Sequence, residues 1–270
     1  MFQLDCKVLA PLIQCLSKIS NELCCIINED GCIISSCDQN RIVYAECKLS
    51  ASVVTMIDNS EYMSFIASSI PFYQIIQHFT TIYLEITSDF IHFKTLLKDT
   101  VFSIPQLNSE KLSLDYNKLN LSGMVKVLPH INWNLLLKST FLKFKASQQD
   151  IELVTTLNKM ETKLTINPHD CDSFEYTELE CIVPLAIILN VMQIGQNAKK
   201  PVVWYFQRNE PMVLSIGITD AYELDVVVSI NEETNLLYPN DCDSTTAISD
   251  TLPLPSTTQP PRPLKRMKYE

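Results

Sequence analysis

One order of structural elements occurs twice in this chain, at an offset of roughly 120 residues. The elements of the first copy are a strand at 2–8, a helix at 9–22, a hairpin that turns at 29–31 and a strand at 42–49. Those of the second copy are a strand near Val125, a short helix at 131–139 and a hairpin at 141–156. A solenoid repeat spans about 20–50 residues, so an offset of this size indicates two domain-sized halves.

Proline placement and apolar spacing predict a second helix in each half. Pro71 opens one of these helices and Pro184 the other, because proline is tolerated in the first helical turn. Strand patterns surround both helices, and the strands at Val101–Pro105 and Tyr222–Ile230 are predicted to be exposed sheet edges. The predicted fold class is α+β, with the helices on one face of a curved antiparallel sheet.

The predicted domain boundaries follow from this repeat and from changes in composition. They are a first half at 1–111, an interdomain connector at 112–127, a second half at 128–237 and a tail at 238–270. The tail is rich in Ser, Thr, Pro and Asp and has few large apolar residues, so it is predicted to be disordered.

Charge and residue usage exclude several classes of function. The net charge of −10 opposes tight phosphate binding, although a ring that encircles DNA needs little direct affinity. The four glycines are too scattered to build a phosphate-binding loop. The histidines and cysteines match no metal-binding spacing, and no Ser-His-Asp or Cys-His assembly can be assigned. We therefore predict no catalytic residue, no metal site and no cofactor.

Cysteine placement and the lack of long apolar runs indicate a location inside the cell. Seven of the ten cysteines fall between Cys6 and Cys47, mostly within strand and helix patterns, which predicts buried and reduced thiols. No apolar run reaches the roughly 18 residues of a membrane span. The N-terminus also lacks a signal-peptide pattern, so no membrane contact is expected.

Five segments carry a resemblance to a known family. They are Lys7-Val8-Leu9, Leu16-Ser17-Lys18-Ile19-Ser20-Asn21-Glu22-Leu23, Asn28-Glu29-Asp30-Gly31, Tyr44-Ala45-Glu46-Cys47 and Glu210-Pro211-Met212-Val213-Leu214-Ser215-Ile216. With the doubled strand-helix-hairpin unit, they resemble the sliding clamps. This family includes the replicative clamp (proliferating cell nuclear antigen) and the nine-one-one DNA-damage checkpoint clamp, whose Rad-nine subunit the segments resemble most. The likeness in architecture covers about residues 1–230.

The resemblance implies a non-enzymatic subunit that joins two other clamp subunits in a ring around double-stranded DNA. Such a ring is placed on DNA at damage sites by a clamp loader, and the Rad-nine tail recruits a checkpoint activator. The tail of this chain is much shorter than is typical of that family. Three alternatives stay open: a homotrimeric replicative clamp that makes polymerases processive, a clamp-fold 3′-5′ exonuclease, and an adaptor that only binds peptides.

The resemblance also implies which residues face DNA, because clamp helices line the central channel. The implied DNA-facing residues are Lys18, Lys138, Gln14, Asn21 and Lys145. Contacts there would be to phosphate and independent of sequence. The alternative interpretation is an ordinary solvated helix face.

The connector is implied to border the groove in which clamps receive client peptides. The implied partner-binding residues are Leu114, Tyr116, Leu119, Leu121 and Met124. Alternatively, these apolar residues only fix the connector to the core.

The end of the tail carries two candidate signals. Lys265, Arg266 and Lys268 form a basic cluster flanked by prolines, which predicts nuclear import. Thr258 precedes a glutamine, as at sites that damage-response kinases phosphorylate, and a phosphate there can bind an arginine cluster.

Overall fold

The computed structural model describes residues 1–57, 63–95, 100–108, 114, 119–136, 138–219 and 221–232. The chain divides into a compact unit at 1–233 and a second unit at 234–270, which lies outside the described residues. The predicted signals at Thr258 and in the basic cluster therefore lie outside them too. No described helix is long and apolar enough to cross a membrane.

The first half follows the predicted order of elements. Its described elements are β1 (Phe2–Asp5), α1 (Cys6–Leu16), β2 (Glu22–Asn28), β3 (Gly31–Cys37), β4 (Val43–Ser50), β5 (Val54–Met56), β6 (Met63–Ser68), α2 (Ser69–Ile76), β7 (Thr81–Ile86), β8 (Phe90–Lys94) and β9 (Val101–Pro105). The short strand β5 was not predicted.

Helix α1 begins and ends earlier than the predicted range of 9–22. It begins after Asp5, whose side chain accepts a hydrogen bond from the backbone N–H of Lys7 at 3.0 Å. It ends at Leu16, and the hydroxyl of the next residue, Ser17, donates to the carbonyl oxygen of Gln14 at 2.9 Å. Serine and asparagine compete for backbone hydrogen bonds, which explains why the polar stretch 17–21 forms a turn instead of a further helical turn.

The second half repeats this order, but it has a 3₁₀ turn in place of the first helix, a further 3₁₀ turn and an additional last strand. Its described elements are β10 (Gly123–Val127), a 3₁₀ turn (Trp133–Leu135), β11 (Phe141–Ala146), β12 (Ile151–Leu157), β13 (Met160–Ile166), a 3₁₀ turn (Pro168–Asp170), β14 (Cys171–Glu175), β15 (Leu179–Pro184), α3 (Leu185–Ala198), β16 (Val202–Phe206), β17 (Met212–Thr219), β18 (Tyr222–Val228) and β19 (Asn231–Glu232). The last five residues of the predicted connector at 112–127 thus form β10.

The predicted helix at 131–139 is wrong, since the described residues of this segment contain only the 3₁₀ turn Trp133–Leu135. Ile131, Trp133 and Leu136 are all buried. Residues two apart lie on nearly opposite sides of an α-helix, so a helix could not bury both Ile131 and Trp133 in the same core. A tight turn after an extended stretch buries all three.

The described strands form three antiparallel sheets. The first has the order β5-β1-β7-β8-β9, and the third has the order β13-β12-β11-β15-β19. The second has nine strands in the order β14-β10-β16-β17-β18-β4-β3-β2-β6. This sheet therefore takes five strands from the second half and four from the first.

The two halves are joined by the pairing of β18 with β4, which we call the internal seam. Residues pair in register along both strands, from Tyr222 with Leu49 to Val228 with Val43. The prediction that Tyr222–Ile230 is an exposed edge is wrong, because β18 lies in the middle of the nine-stranded sheet. The prediction for Val101–Pro105 is confirmed, because β9 is the last strand of its sheet.

A continuous apolar core extends through both halves. In the second half it is centred on Trp204, whose ring lies 5.9 Å from that of Trp133 and 5.8 Å from that of Phe144. Aromatic pairs at such distances stabilise a core beyond the area they bury. Six of the nine described cysteines are buried, and burial raises the pKa of the Cys25 and Cys47 thiols well above its usual range. The prediction of buried thiols is confirmed for these six.

Candidate functional site

Each α-helix exposes one stripe of side chains that repeats every three or four residues. We call the three stripes together the helix surface, and α1 contacts both α2 and α3. The exposed or half-exposed members are Lys7, Pro11 and Gln14 on α1, Ile70 and Gln74 on α2 with Gln77 directly after it, and Ala186, Asn190, Gln193 and Asn197 on α3.

The helix surface carries no acidic side chain. Asp and Glu account for 31 of the 270 residues, yet none occurs in α1, α2 or α3. Most of the exposed members are neutral amides, and Lys7 is the one lysine within these helices. Such a surface can lie against a phosphate backbone without repulsion, but it offers few charged contacts.

Lys18 lies in the turn after α1 and not on the helix itself. Its Nζ donates a hydrogen bond to Oδ1 of Asn190 on α3, and the two atoms are 2.6 Å apart. The bond therefore connects the first half to the second beside the helix surface. An ammonium group has three donors, so Lys18 keeps further N–H groups for an incoming phosphate.

The other predicted DNA-facing residues occupy different places. Gln14 is exposed on α1, Asn21 is exposed just before β2, and Lys138 is exposed between the 3₁₀ turn and β11. Lys145 projects from the face of β11 that points away from the core, because its neighbours along the strand, such as Phe144, point into the core. Lys145 therefore does not share the core-facing side of the sheet, on which the helices pack.

The face of the nine-stranded sheet that points away from the core carries a continuous row of paired residues. In order across seven adjacent strands, this outer row consists of Cys37, Tyr44, Val227, Val213, Tyr205, Met124 and Glu175. With strands about 4.8 Å apart, the row is roughly 29 Å long. Six members are apolar or aromatic, and the row ends in one carboxylate. An apolar row of this length on the outer face of a sheet is a candidate binding groove.

Two residues of the predicted connector cover the middle of the outer row. Leu119 and Leu121 pack against its three buried members, Tyr44, Val227 and Val213. Leu114 is 44% exposed, and Met124 belongs to the row itself. Tyr116 lies outside the described residues. The structure thus brings Leu119, Leu121 and Met124 together at one surface.

Tyr44 anchors the buried part of the outer row through its hydroxyl. The hydroxyl donates a hydrogen bond to Oε2 of Glu46 at 2.7 Å. Burial, and then this bond to a carboxylate, raise the pKa of Tyr44 above its usual range. The phenol therefore stays neutral and continues to donate.

Sequence reasoning missed most of the outer row. Its members Tyr44, Val213, Val227 and Tyr205 come from four strands of both halves. The run Val226-Val227-Val228 was one available signal, because a continuous apolar run indicates a strand that is covered on both faces. No local pattern, however, identifies which strands are neighbours.

Among the strands at the ends of the three described sheets, β9 and β13 expose large apolar side chains. Val101 on β9 is 49% exposed, and Met160 on β13 is 58% exposed. On β9, the ring of Phe102 lies 5.8 Å from that of Phe79. Such edges carry unpaired N–H and C=O groups that can accept another strand.

The part of the chain that the structure describes contains no group of three His, Cys, Asp or Glu side chains that could hold a metal ion. The nearest polar cluster is at Asp170, whose Oδ1 lies 3.5 Å from Nε2 of His130 and 3.6 Å from Nε2 of His169. A hydrogen bond from the backbone N–H of Asn167 is the main reason that the pKa of Asp170 is lowered. The absence of catalytic residues and cofactors stays a prediction.

Comparison with known proteins identifies the fold. No protein-family model and no curated protein matches this chain. A chain of the PCNA2–PCNA3 complex from Sulfolobus tokodaii matches with a TM-score of 0.72 and 13% identity, over 86% of this chain and 99% of that one.

Two further solved structures agree. PCNA from Thermococcus kodakaraensis matches with a TM-score of 0.70 and 16% identity, over 86% of this chain and 100% of that one. Proliferating Cellular Nuclear Antigen from Entamoeba histolytica has a TM-score of 0.70 and 10% identity, over 85% of this chain and 98% of that one. The predicted sliding-clamp fold is therefore confirmed.

Proposed function

We propose that this chain is one subunit of a sliding clamp, a ring that encircles double-stranded DNA. The observation that carries the proposal is that two of its described edge strands, β9 and β13, are the counterparts of the strands paired in the internal seam. The exposed strands β9 and β13 are therefore equivalent to β18 and β4, which pair with each other within the chain.

The repeated order of elements defines these counterparts. β18 is the third strand after α3, as β9 is the third strand after α2. β4 is the third strand after α1, as β13 is the third strand after the Trp133–Leu135 turn. Since β18 pairs with β4, equivalent geometry lets β9 of one subunit pair with β13 of its neighbour. Head-to-tail joints of this kind generate a ring when the rotation closes.

Disruption of β9 tests this joint directly. Phe102→Asp places a charge on the free edge and is expected to dissociate the assembly, as measured by size-exclusion chromatography with light scattering. Ile57→Asp is the matched control, because Ile57 is similarly exposed but follows β5 at the other end of that sheet. Full assembly of the Phe102→Asp variant would contradict the β9 joint.

We further propose that the neighbours are two different clamp subunits and that the ring acts in the DNA-damage checkpoint. Support comes from the resemblance of residues 7–9, 16–23 and 28–31 to the Rad-nine subunit. The Sulfolobus tokodaii match is itself described as a complex of two different PCNA chains. In this role the chain is a scaffold without enzymatic activity, which a clamp loader places on DNA.

Affinity purification of the full chain from its own cells, with mass spectrometry of the bound proteins, tests the checkpoint role. Two distinct clamp-like subunits in equal amounts, together with a clamp loader, are the expected result. Self-association with polymerase subunits would instead indicate a replicative clamp. Release of nucleotides from single-stranded DNA with Mg²⁺ or Mn²⁺ would contradict the scaffold role.

A homotrimeric replicative clamp is the second candidate, and one observation favours it. Asn190, the acceptor of the Lys18 hydrogen bond, is the sixth residue of α3, and Gln74 is the sixth residue of α2. Lys138 precedes β11 much as Lys18 precedes β2. Two copies of this chain therefore carry complementary groups, Gln74 and Lys138, for their joint. A stable homotrimer of the isolated chain would favour this candidate, and a monomer would favour the heteromeric ring.

We place the proposed ring in the nucleus because of the basic cluster at the end of the tail. Alanine substitution of Lys265, Arg266 and Lys268 is expected to abolish nuclear accumulation of a fluorescent fusion. Thr258→Ala is expected to reduce binding of the checkpoint activator without changing ring assembly. Unchanged localisation of the alanine variant would contradict the import signal.

A further inference from the structure

The outer row is unequally accessible along its length. Its three buried members lie under Leu119 and Leu121, whereas Tyr205 and Met124 are half-exposed and Glu175 is exposed. A segment that binds across the sheet can therefore reach the row most directly at the end formed by β16, β10 and β14.

The three residues at this open end offer a defined sequence of chemical groups. Tyr205 pairs directly with Met124, and Met124 pairs directly with Glu175. Directly paired side chains on one face lie about 5 Å apart at their Cβ atoms. An aromatic ring, a thioether and a carboxylate thus follow one another along a line roughly 10 Å long.

Polar groups that already have partners flank this end on both sides. On one side, the hydroxyl of Ser122 hydrogen-bonds to that of Thr177 at 2.8 Å and to the Gln207 side chain. On the other side, Nζ of Lys126 forms an ion pair with Asp172 at 3.2 Å. These groups already have partners, so Glu175 is the charged group that the open end presents to an incoming residue.

We infer that the open end of the outer row is a subsite for a basic side chain, Lys or Arg, of an extended partner segment. The aliphatic stem lies on Met124 and Tyr205, and the cationic head binds Glu175. Apolar residues of the same segment lie along the row beside Leu119 and Leu121. The inference rests on the proposed function, because it specifies which partners the clamp recruits at its outer face.

Peptides of about twelve residues test the subsite, since that length can cross the row at about 3.3 Å per residue. Each fluorescein-labelled peptide carries two adjacent apolar anchors and one variable residue, Lys, Arg, Gln or Glu, placed in turn on either side of them. Binding to the full-length protein in its native complex is measured by fluorescence anisotropy. Lys and Arg peptides are expected to bind about fivefold more tightly than the Gln peptide.

Charge reversal distinguishes this subsite from general attraction to an acidic protein. Glu175→Lys is expected to reverse the preference from basic to acidic peptides, with a change of about tenfold or more in the ratio of their affinities. Glu29→Lys makes the same charge change in the exposed β2–β3 turn and is expected to leave the preference unaltered. Comparable effects of the two variants would overturn the subsite.

The remaining outcomes separate the subsite from the proposed function. If peptides bind through their apolar anchors but do not discriminate at the variable residue, the subsite is overturned and partner recruitment at the groove stands. If no peptide binds at any position, the groove itself is overturned and the subsite with it. If the unmodified protein also fails to assemble into a ring, the proposed function is overturned, whatever the peptide experiments show.

Discussion

Replacement of Gln14 and Gln193 by lysine is expected to steepen the salt dependence of DNA binding. Both side chains are exposed on the helix surface, one on α1 and one on α3. The described lysines on or beside this surface are Lys7, Lys18, Lys138, Lys199 and Lys200. Each phosphate contact contributes about −0.9 to the slope of log K against log salt concentration. Five contacts therefore limit the slope to roughly −4.5 for each copy of this chain.

Two added lysines make this slope steeper by about 1.8 for each copy of this chain. A threefold decrease in salt concentration then strengthens binding of the variant about sevenfold more than that of the wild-type protein. Fluorescence anisotropy of a labelled linear duplex, titrated with the purified native complex at several salt concentrations, measures both slopes.

The control is the pair Gln148→Lys and Gln149→Lys in the turn between β11 and β12. These substitutions change the net charge by the same amount, but they lie outside the helix surface. Their slope is expected to stay close to that of the wild type. Equal steepening in both variants would refute the assignment of the helix surface to DNA, because net charge alone would then explain the effect.

Three further predictions concern folding stability, measured by urea unfolding. Gly31→Ala is expected to cost about 2 kcal/mol or more, because Gly31 has φ 141° and an added Cβ would lie 2.0 Å from a carbonyl oxygen of β4. Gly217→Ala, with nothing within 4 Å of the added Cβ, is the matched control and is expected to change stability by less than about 1 kcal/mol. Trp204→Ala is expected to cost about 3–5 kcal/mol through the cavity left in the core of the second half. Asp170 has a lowered pKa, so its stabilisation is present above the usual carboxyl pKa of about 3.9 and is lost as pH falls through the lower folded-state value. Asp170→Asn should therefore flatten the loss of stability between about pH 5 and pH 3, and an unchanged acid profile would contradict this assignment.

Local patterns predicted elements that carry a clear turn or helix signal in adjacent residues. The hairpin between β2 and β3 follows from Asp30-Gly31, and the helix that begins after Pro184 follows from its apolar spacing. The segment at 131–139 was misassigned because a run of apolar residues is compatible with a helix until their spacing is compared with the helical period. The packing of Trp133 against Trp204 favours the 3₁₀ turn over a helix in this segment, and that contact joins residues far apart in sequence.

The candidate site depended even more on non-local contacts. Leu119, Leu121 and Met124 were predicted to border a client-peptide groove, which stays a prediction, and the structure places all three at the outer row. Lys145 was expected with the helices, but strand alternation places it on the opposite face. The pairing of β18 with β4, which creates the middle of the row, joins strands almost 180 residues apart in sequence. Strand propensity contains no information about such partners.

The internal seam also determines where a ring built from this chain can open. The strands β4 and β18 belong to one polypeptide, so their pairing does not weaken when the protein is diluted. A joint between β9 and β13 of two subunits has no such tether and weakens as the subunits are diluted. That joint is also shorter, since β9 has five residues whereas β18 has seven. Each subunit would therefore remain an intact arc while the ring opens only between neighbours, and a DNA duplex would enter at an intermolecular joint.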